Sequence, residues 1–568
     1  MGVNNNMFQL IKIKQKYNYI FEFLILICMS FISTYFAFSG HFFNISHDGV
    51  YHLGRFLNVA DSFRNLNFPE VVNLTHVSTN SYPGVAINSF YPWLTGIIFI
   101  IPNLLFSNPM WALFLSFFIL NIFTIISINS LLSYLTSNRL AVFTGIVIYQ
   151  FNNYHFIDLY SRVAIGESIA YAFFPIVFLG IIKINRSDKF GFLLLGLSMG
   201  LLVNTHILTF LYAVFIVILF IIYLFLFDRK YLLDKLIQII KSSIVAIFLG
   251  MYTIYNLVHM ITNNHIEEPF KAIIALSPSG VFMSTINNEI GEQGAQNWSM
   301  GLPVTLLVIF LGTYCLVTKS NYWKVYGSFS ILFYFSLFTW IPYDLIKDSL
   351  LANVQFLGRL LIFVLISLSI GVSYLITFRK KNIKVSLIFG LNVVIIIFSL
   401  SALYNYHYNY FGPGTGGHSK INSENYYGMI NNTDTFADYL PKNIEKDNSN
   451  TKQNDNKKIL KIVNSSPKEI TYSAYSAKNV DYQIPFITYR GLNYVISSNG
   501  QKVYMSGNGK FIKVRLHRGQ NKIIIKVRHN NSVYLLVVSM ISFIILVIYM
   551  VFIKFKLMHE QSLIHRLT

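Results

Sequence analysis

Long apolar runs separated by short polar breaks recur along the chain from residue 19 to residue 403, and one more follows near the C-terminus. Runs of about 17–25 residues can cross a bilayer as helix, the form in which a segment satisfies its own backbone. The pattern predicts twelve crossings, at about 19–38, 110–135, 139–155, 167–184, 189–204, 206–227, 238–258, 301–318, 323–340, 355–376, 384–403 and 534–553. The stretch from Gly84 to Phe106 is also apolar, yet it contains Pro92 and Pro102 and the polar Asn88, Ser89 and Asn103. It reads either as a poor crossing or as a broken segment at the interface.

Loop charge decides between the two. If Gly84–Phe106 does not cross, Arg139, Lys183, Arg186, Lys189, Arg229, Lys230, Lys319, Lys324 and Arg379 to Lys381 all share the side of Lys12, Lys14 and Lys16. Basic loops stay in the cytoplasm, so this arrangement is preferred. Both termini are then cytoplasmic. Residues 40–108 form one long outside loop, and the 156–166, 259–300, 341–354 and 404–533 segments face out with it.

Residues 404–533 change character. After Gly412-Pro413-Gly414-Thr415-Gly416-Gly417 and a polar, linker-like tract at 447–458, short alternating runs appear at 486–489, 494–497, 502–505, 511–516 and 522–527. Asn499-Gly500, Gly507-Asn508-Gly509 and Arg518-Gly519 separate them as hairpin-turn signals. The expected architecture is a polytopic α-helical membrane domain over 1–403, an extracytoplasmic segment 404–533 that is β-rich and antiparallel over 459–530, and a final membrane helix with cytoplasmic tail over 534–568. Segment 404–533 carries 18 Lys and Arg against 8 Asp and Glu. That excess suits anionic head groups or a polyanionic envelope polymer, and it also keeps a surface soluble.

Composition agrees: of 568 residues, 54% are hydrophobic and 12% charged. Cys28 and Cys315 lie inside apolar runs, which argues against a disulfide framework or thiolate metal site. Against this background Ile45-Ser46-His47-Asp48-Gly49-Val50-Tyr51-His52-Leu53-Gly54-Arg55 stands out, because ionisable groups at a membrane edge are costly and call for a role. As helix, it places Asp48, His52 and Arg55 on one face, a base, a proton partner and a cation for phosphate, with His47 beside them. Asp48 also suits a helix N-terminus or turn with no further role. A second outside loop offers Asp158, Arg162 and Glu167, and a third cluster, Gln355 to Arg359, sets an arginine about one turn into a membrane helix. Glu167 suits the first turn of a helix in any case, and Arg359 suits snorkelling as well as a lipid phosphate.

These motifs, in order, are the acidic first loop with its His-x-x-Arg helix, Tyr82-Pro83 and Phe90-Tyr91-Pro92, then Arg162-x-Ala-x-Gly-Glu167 and Gln355-Phe-x-x-Arg359. Together they resemble bacterial membrane proteins labelled 6-pyruvoyl-tetrahydropterin-synthase-related and the neighbouring YfhO-like proteins, over most of the chain. Those resemble the GT-C superfamily of membrane glycosyltransferases. The resemblance implies transfer of a sugar from a polyprenyl-phosphate carrier to a polymer or lipid acceptor of the cell envelope, on the outer face of the membrane. It implies Asp48 as catalytic base, Glu167 as a second acidic residue, and His47, His52, Arg55, Arg162, Gln355 and Arg359 as substrate-binding groups. Many members pair two acids in the first loop where this chain has His47-Asp48. Metal dependence therefore stays open, with no clear ligand set. The expected partners are the carrier-linked sugar, its acceptor and the bilayer, without nucleic acid. Two other classes remain: a flippase or transporter of lipid-linked sugar, and a non-catalytic envelope accessory protein.

Overall fold

The structure, a computed structural model, describes residues 2–75, 82–291, 294–319, 322–378, 384–409, 418–431, 439–442, 444, 460–528 and 532–567. The chain opens with α1 (Gly2–Phe38), β1 (Phe43–Ile45), α2 (His47–Arg64), α3 (Ile87–Phe90), α4 (Ile97–Leu105), α5 (Pro109–Leu135) and α6 (Arg139–Gln150). Next come α7 (Asn153–Phe156), α8 (Ile165–Asn185), α9 (Gly191–Val203), α10 (Ile207–Phe227), α11 (Leu232–Asn263), β2 (Ile273–Ile274), α12 (Pro278–Ile286), α13 (Leu302–Val317) and α14 (Tyr322–Ser336). After β3 (Gln355–Phe356) follow α15 (Leu361–Phe378), α16 (Val385–Asn409), β4 (Ser419–Ile421) and α17 (Tyr426–Asn431). The last part holds β5 (Leu460–Ser465), β6 (Glu469–Ser476), β7 (Val480–Ile487), β8 (Asn493–Ser498), β9 (Gln501–Ser506), β10 (Phe511–Leu516), β11 (Gly519–Val527) and α18 (Ser532–Leu567).

Among the described residues, eight helical segments are long and apolar enough to cross a membrane: Ile20–His41, Pro109–Leu135, Ile165–Asn185, Ile207–Phe227, Arg229–Asn263, Leu357–Phe378, Val385–Asn409 and Ser532–Ile553. That is fewer than the twelve the sequence predicts. The other four predicted crossings fall on α6, α9, α13 and α14, of 12, 13, 16 and 15 residues, short of the ~20 residues a bilayer asks for. Asparagine shortens two of them. Asn152 Nδ2 donates to the Ile148 and Tyr149 carbonyls at 3.1 and 2.8 Å, while its Oδ1 accepts from His155 N at 2.8 Å. One side chain thus ends α6 and caps α7. Asn204 acts alike after α9, donating to the Gly200 and Leu249 carbonyls. Gly84–Phe106 forms no single helix; it breaks into α3, a 3₁₀ turn at Leu94–Gly96, and α4.

The β-rich part is a sandwich. Strands pair antiparallel in the order β5-β6-β11-β8-β9, facing the two-stranded β7–β10 sheet. One apolar core holds residues of both, including Tyr472, Ile523 and Ile525 from the larger sheet and Ile484, Phe486 and Ile512 from the smaller. Asn499-Gly500 closes the β8–β9 hairpin with φ of 48° and 90°, the geometry such a turn requires. The Gly507–Gly509 and Arg518-Gly519 signals instead lead into strands of the other sheet, so they are crossovers and not hairpins. Strands β5 and β6 were absent from the predicted set. Gly412 to Gly417 and the 447–458 tract lie outside the described residues.

The sandwich core does not stop at the sandwich. Val71, Val72, Leu74, Val85, Ile87 and Phe90 belong to the same buried cluster. Ile487 N donates to the Pro83 carbonyl at 2.9 Å, and at the end of α11 Asn264 Nδ2 donates to the Arg490 carbonyl at 3.0 Å. The late β sandwich and the early 71–90 segment therefore fold against each other.

Candidate functional site

Two short pairings and one side-chain bond gather the predicted site segments at one end of the helical bundle. β1 pairs antiparallel with β4, Ile45 opposite Ser419, which fixes the chain just before α2. β2 pairs parallel with β3, Ile273 opposite Gln355. Ser46 joins the first loop to the second: its Oγ accepts from Gly49 N at 3.2 Å, capping α2, and donates to the Arg162 carbonyl. A Cβ added at Gly49 would lie 2.7 Å from Ile45 and 2.8 Å from Val163. Only glycine lets α2 start this close to Val163, itself at φ 52°.

Asp48 occupies the first turn of α2, where the helix dipole favours a carboxylate. It is partly exposed and has no hydrogen bond or ion pair among the described residues. The side chain of His47 lies outside the described residues. Four and seven residues along, the same face turns inward. His52 and Arg55 are buried, and Arg55 Nε donates to His52 Nδ1 at 3.1 Å. Arg55 Nη1 donates to the Tyr91 and Pro92 carbonyls at 3.2 and 2.8 Å, and the guanidinium lies over the Tyr91 ring at 4.4 Å. Burial, and after it the Arg55 charge, hold the His52 imidazole well below its usual range. His52 is therefore a neutral acceptor at pH 7.

The second and third motifs meet in a buried ionic cluster. Arg162 Nη1 donates to Asp158 Oδ1 at 3.1 Å and to Glu167 Oε2 at 2.9 Å. Arg359 Nε reaches the same Oε2 at 3.2 Å, while its Nη1 donates to the Val354 carbonyl and to Gln355 Oε1. Gln355, held at φ 61°, donates in turn to the Phe270 carbonyl at 2.6 Å. Tyr154 Oη stands 3.1 Å from Glu167 Oε1 and 3.1 Å from the Arg359 carbonyl. Trp298 lies beneath the Arg162 guanidinium at 4.5 Å. Buried charges survive only when paired and hydrogen-bonded in this way.

The cluster keeps donors in hand. Arg162 Nε and Nη2, and Arg359 Nη2, donate to no protein atom among the described residues. Asp158 lies in the turn between α7 and α8, and burial, followed by the Glu167 charge, raises its carboxyl well above the usual value. Asp158 is itself held by Arg162 and Ser168, so what the cluster leaves over is guanidinium N–H groups, and a planar guanidinium with free N–H groups suits phosphate. Asp48 acts electrostatically on Arg162 and on Tyr91, so the free carboxylate and the cluster belong to one neighbourhood.

Glu167, read from the sequence as an acidic catalytic candidate, is 7% exposed and holds two arginines and a tyrosine. Both of its carboxylate oxygens are thus engaged by protein donors. Tyr154 and Trp298 went unnoticed in the sequence; Trp298 is one of only five tryptophans, the one signal that marked it. Tyr91 joins the motifs: it stacks edge-on to His52 at 4.9 Å, and a Cβ at Gly166 would meet its Oη at 2.3 Å. Among the described residues no three His, Cys, Asp or Glu side chains converge as metal ligands. Compared with known protein families and with curated proteins, the chain matches none.

Proposed function

We propose that the chain is a membrane glycosyltransferase of GT-C type, taking a sugar from a polyprenyl-phosphate carrier to an envelope acceptor on the outer face of the membrane. The observation that carries this is the contrast at the site. Asp48 is a partly exposed carboxylate with no partner among the described residues, and it acts electrostatically on Arg162. Arg162 and Arg359 are locked in place by Glu167 yet keep donors that no described residue uses.

The chemistry follows as one inverting displacement. Asp48 accepts the proton of the acceptor hydroxyl as that oxygen attacks the anomeric carbon. The bond from the anomeric carbon to the phosphate oxygen breaks, and its electron pair leaves with the lipid phosphate. Arg162 and Arg359 neutralise the departing charge through their unused N–H groups. Glu167, Tyr154 and Gln355 hold the two guanidiniums in register. Arg55 and His52 serve a different end, binding the Tyr91-Pro92 turn to α2.

The test uses membranes containing wild type or Asp48→Asn at equal expression, with a panel of labelled polyprenyl-phosphate sugars. Transfer by wild type and its loss by at least about 100-fold in Asp48→Asn, the range expected for a general base, supports the proposal. Equal transfer by both removes Asp48 as the base. Absence of transfer from every donor favours the accessory or lipid-moving classes.

A further inference from the structure

The β sandwich is strongly basic. Residues 460–528 contain twelve Lys and Arg against two Asp and Glu, an excess of ten. Both acids already face cations: Glu469 is ion-paired to Lys526, and Asp481 stands opposite Arg515 in the β7–β10 register. The surplus is therefore available to a partner.

On this surface opens a cleft of about 390 Å³ lined by Gln483, Met505, Asn508, Lys510, Phe511 and Lys513. Its shape comes from an irregularity in the sheet. Phe511 pairs with Ile487, but the next residue, Ile512, pairs with Ile484, so Pro485 and Phe486 bulge out of β7. A bulge bends its strand and re-aims the side chains beside it. Asn508 is fixed at the rim, its Oδ1 accepting from Thr488 Oγ1 at 3.0 Å and from Lys510 N at 3.1 Å. That leaves its amide N–H groups to donate elsewhere. Lys513 stands opposite Gln483 in the register. Neither the Lys510 nor the Lys513 ammonium has a hydrogen bond or ion pair among the described residues.

We infer that this cleft binds an anionic glycan, a chain of sugar or polyol units bearing phosphate or carboxylate. The two ammoniums meet the charge, and the Asn508 and Gln483 carboxamides suit hydroxyl groups. Phe511 and Met505 give an apolar floor for the C–H face of a unit. The excess charge over the rest of the sandwich attracts a polyanion along its length. The cleft shares no residue with the Asp48 cluster, and the binding holds whether or not the chain transfers sugar.

The experiment titrates the full chain in zwitterionic nanodiscs, at physiological ionic strength, with fluorescent oligomers of poly(glycerol phosphate), polygalacturonate and neutral dextran. The expected result is binding of at least one acidic oligomer and not of dextran. The Lys510→Gln/Lys513→Gln variant should weaken it by at least about tenfold, and the equally charged control Lys502→Gln/Lys522→Gln by less than about threefold. Preference between the two acidic oligomers distinguishes phosphate from carboxylate. The inference is overturned if neither acidic oligomer binds, if dextran binds as well, or if both double variants weaken binding equally. Binding to anionic vesicles with none to the oligomers overturns it too.

Discussion

Asp48 gains its meaning from its neighbours. Every other charged side chain of the cluster already has partners, and the cluster's rigidity depends on Glu167, which two arginines share through one oxygen. Breaking a buried ionic set by removing one partner costs about 3–5 kcal/mol. Glu167→Gln should accordingly lower the unfolding midpoint in detergent clearly, whereas Asp48→Asn should leave it within measurement error; equal losses would show that Asp48 is also structural. Tyr91 supplies a second check at this scale. A methyl group at Gly166 has no room against its hydroxyl. Gly166→Ala should therefore disturb the Arg55 contacts and reduce transfer, and a Gly166→Ala/Tyr91→Phe pair should recover part of the loss. No recovery would place the damage elsewhere.

At the scale of elements, most helices were legible because a long apolar run is a strong signal and a membrane leaves little choice of backbone structure. The short ones were misjudged in length. Asn152 and Asn204 bond their own helix carbonyls, a local chemistry that average hydropathy does not register. The helix at Asp48 was foreseen, and its face was half right: Asp48 looks out, while His52 and Arg55 turn in to Tyr91. That turn depends on a proline-interrupted segment 36 residues away in sequence, which no local pattern reveals. The close start of α2 gives a prediction of its own. Gly49→Ala should push the N-terminus of α2 off Val163 and abolish transfer with little loss of folded protein; unchanged transfer would mean that the distance between Asp48 and Arg162 is unimportant.

For the whole molecule, the unexpected feature is the union of the β sandwich with residues 71–90. Strands were foreseen where alternation and turn signals coincide, but β5 and β6 were missed, and long-range docking leaves no mark in sequence. Glu70 sits at this union, 5% exposed, and burial raises its carboxyl to about 7, opposed by Lys468. A raised carboxyl favours the native state fully below the unfolded value and ceases to as pH rises through about 7. The union should thus loosen between roughly pH 5 and pH 8, and Glu70→Gln should flatten that dependence and be the more stable protein at pH 8; parallel pH curves would contradict it. The proposed orientation is checked separately: a cysteine at the exposed Ser187 should label only from the cytoplasmic side.

The central claim is that one free carboxylate performs the proton transfer while its charged surroundings bind the lipid phosphate. Single-turnover transfer by purified protein in nanodiscs, preloaded with polyprenyl-phosphate sugar, tests it most directly. Asp48→Asn should hold the donor as tightly as wild type and transfer its sugar at least about 100-fold more slowly. Transfer at the wild-type rate from a bound donor would contradict the claim.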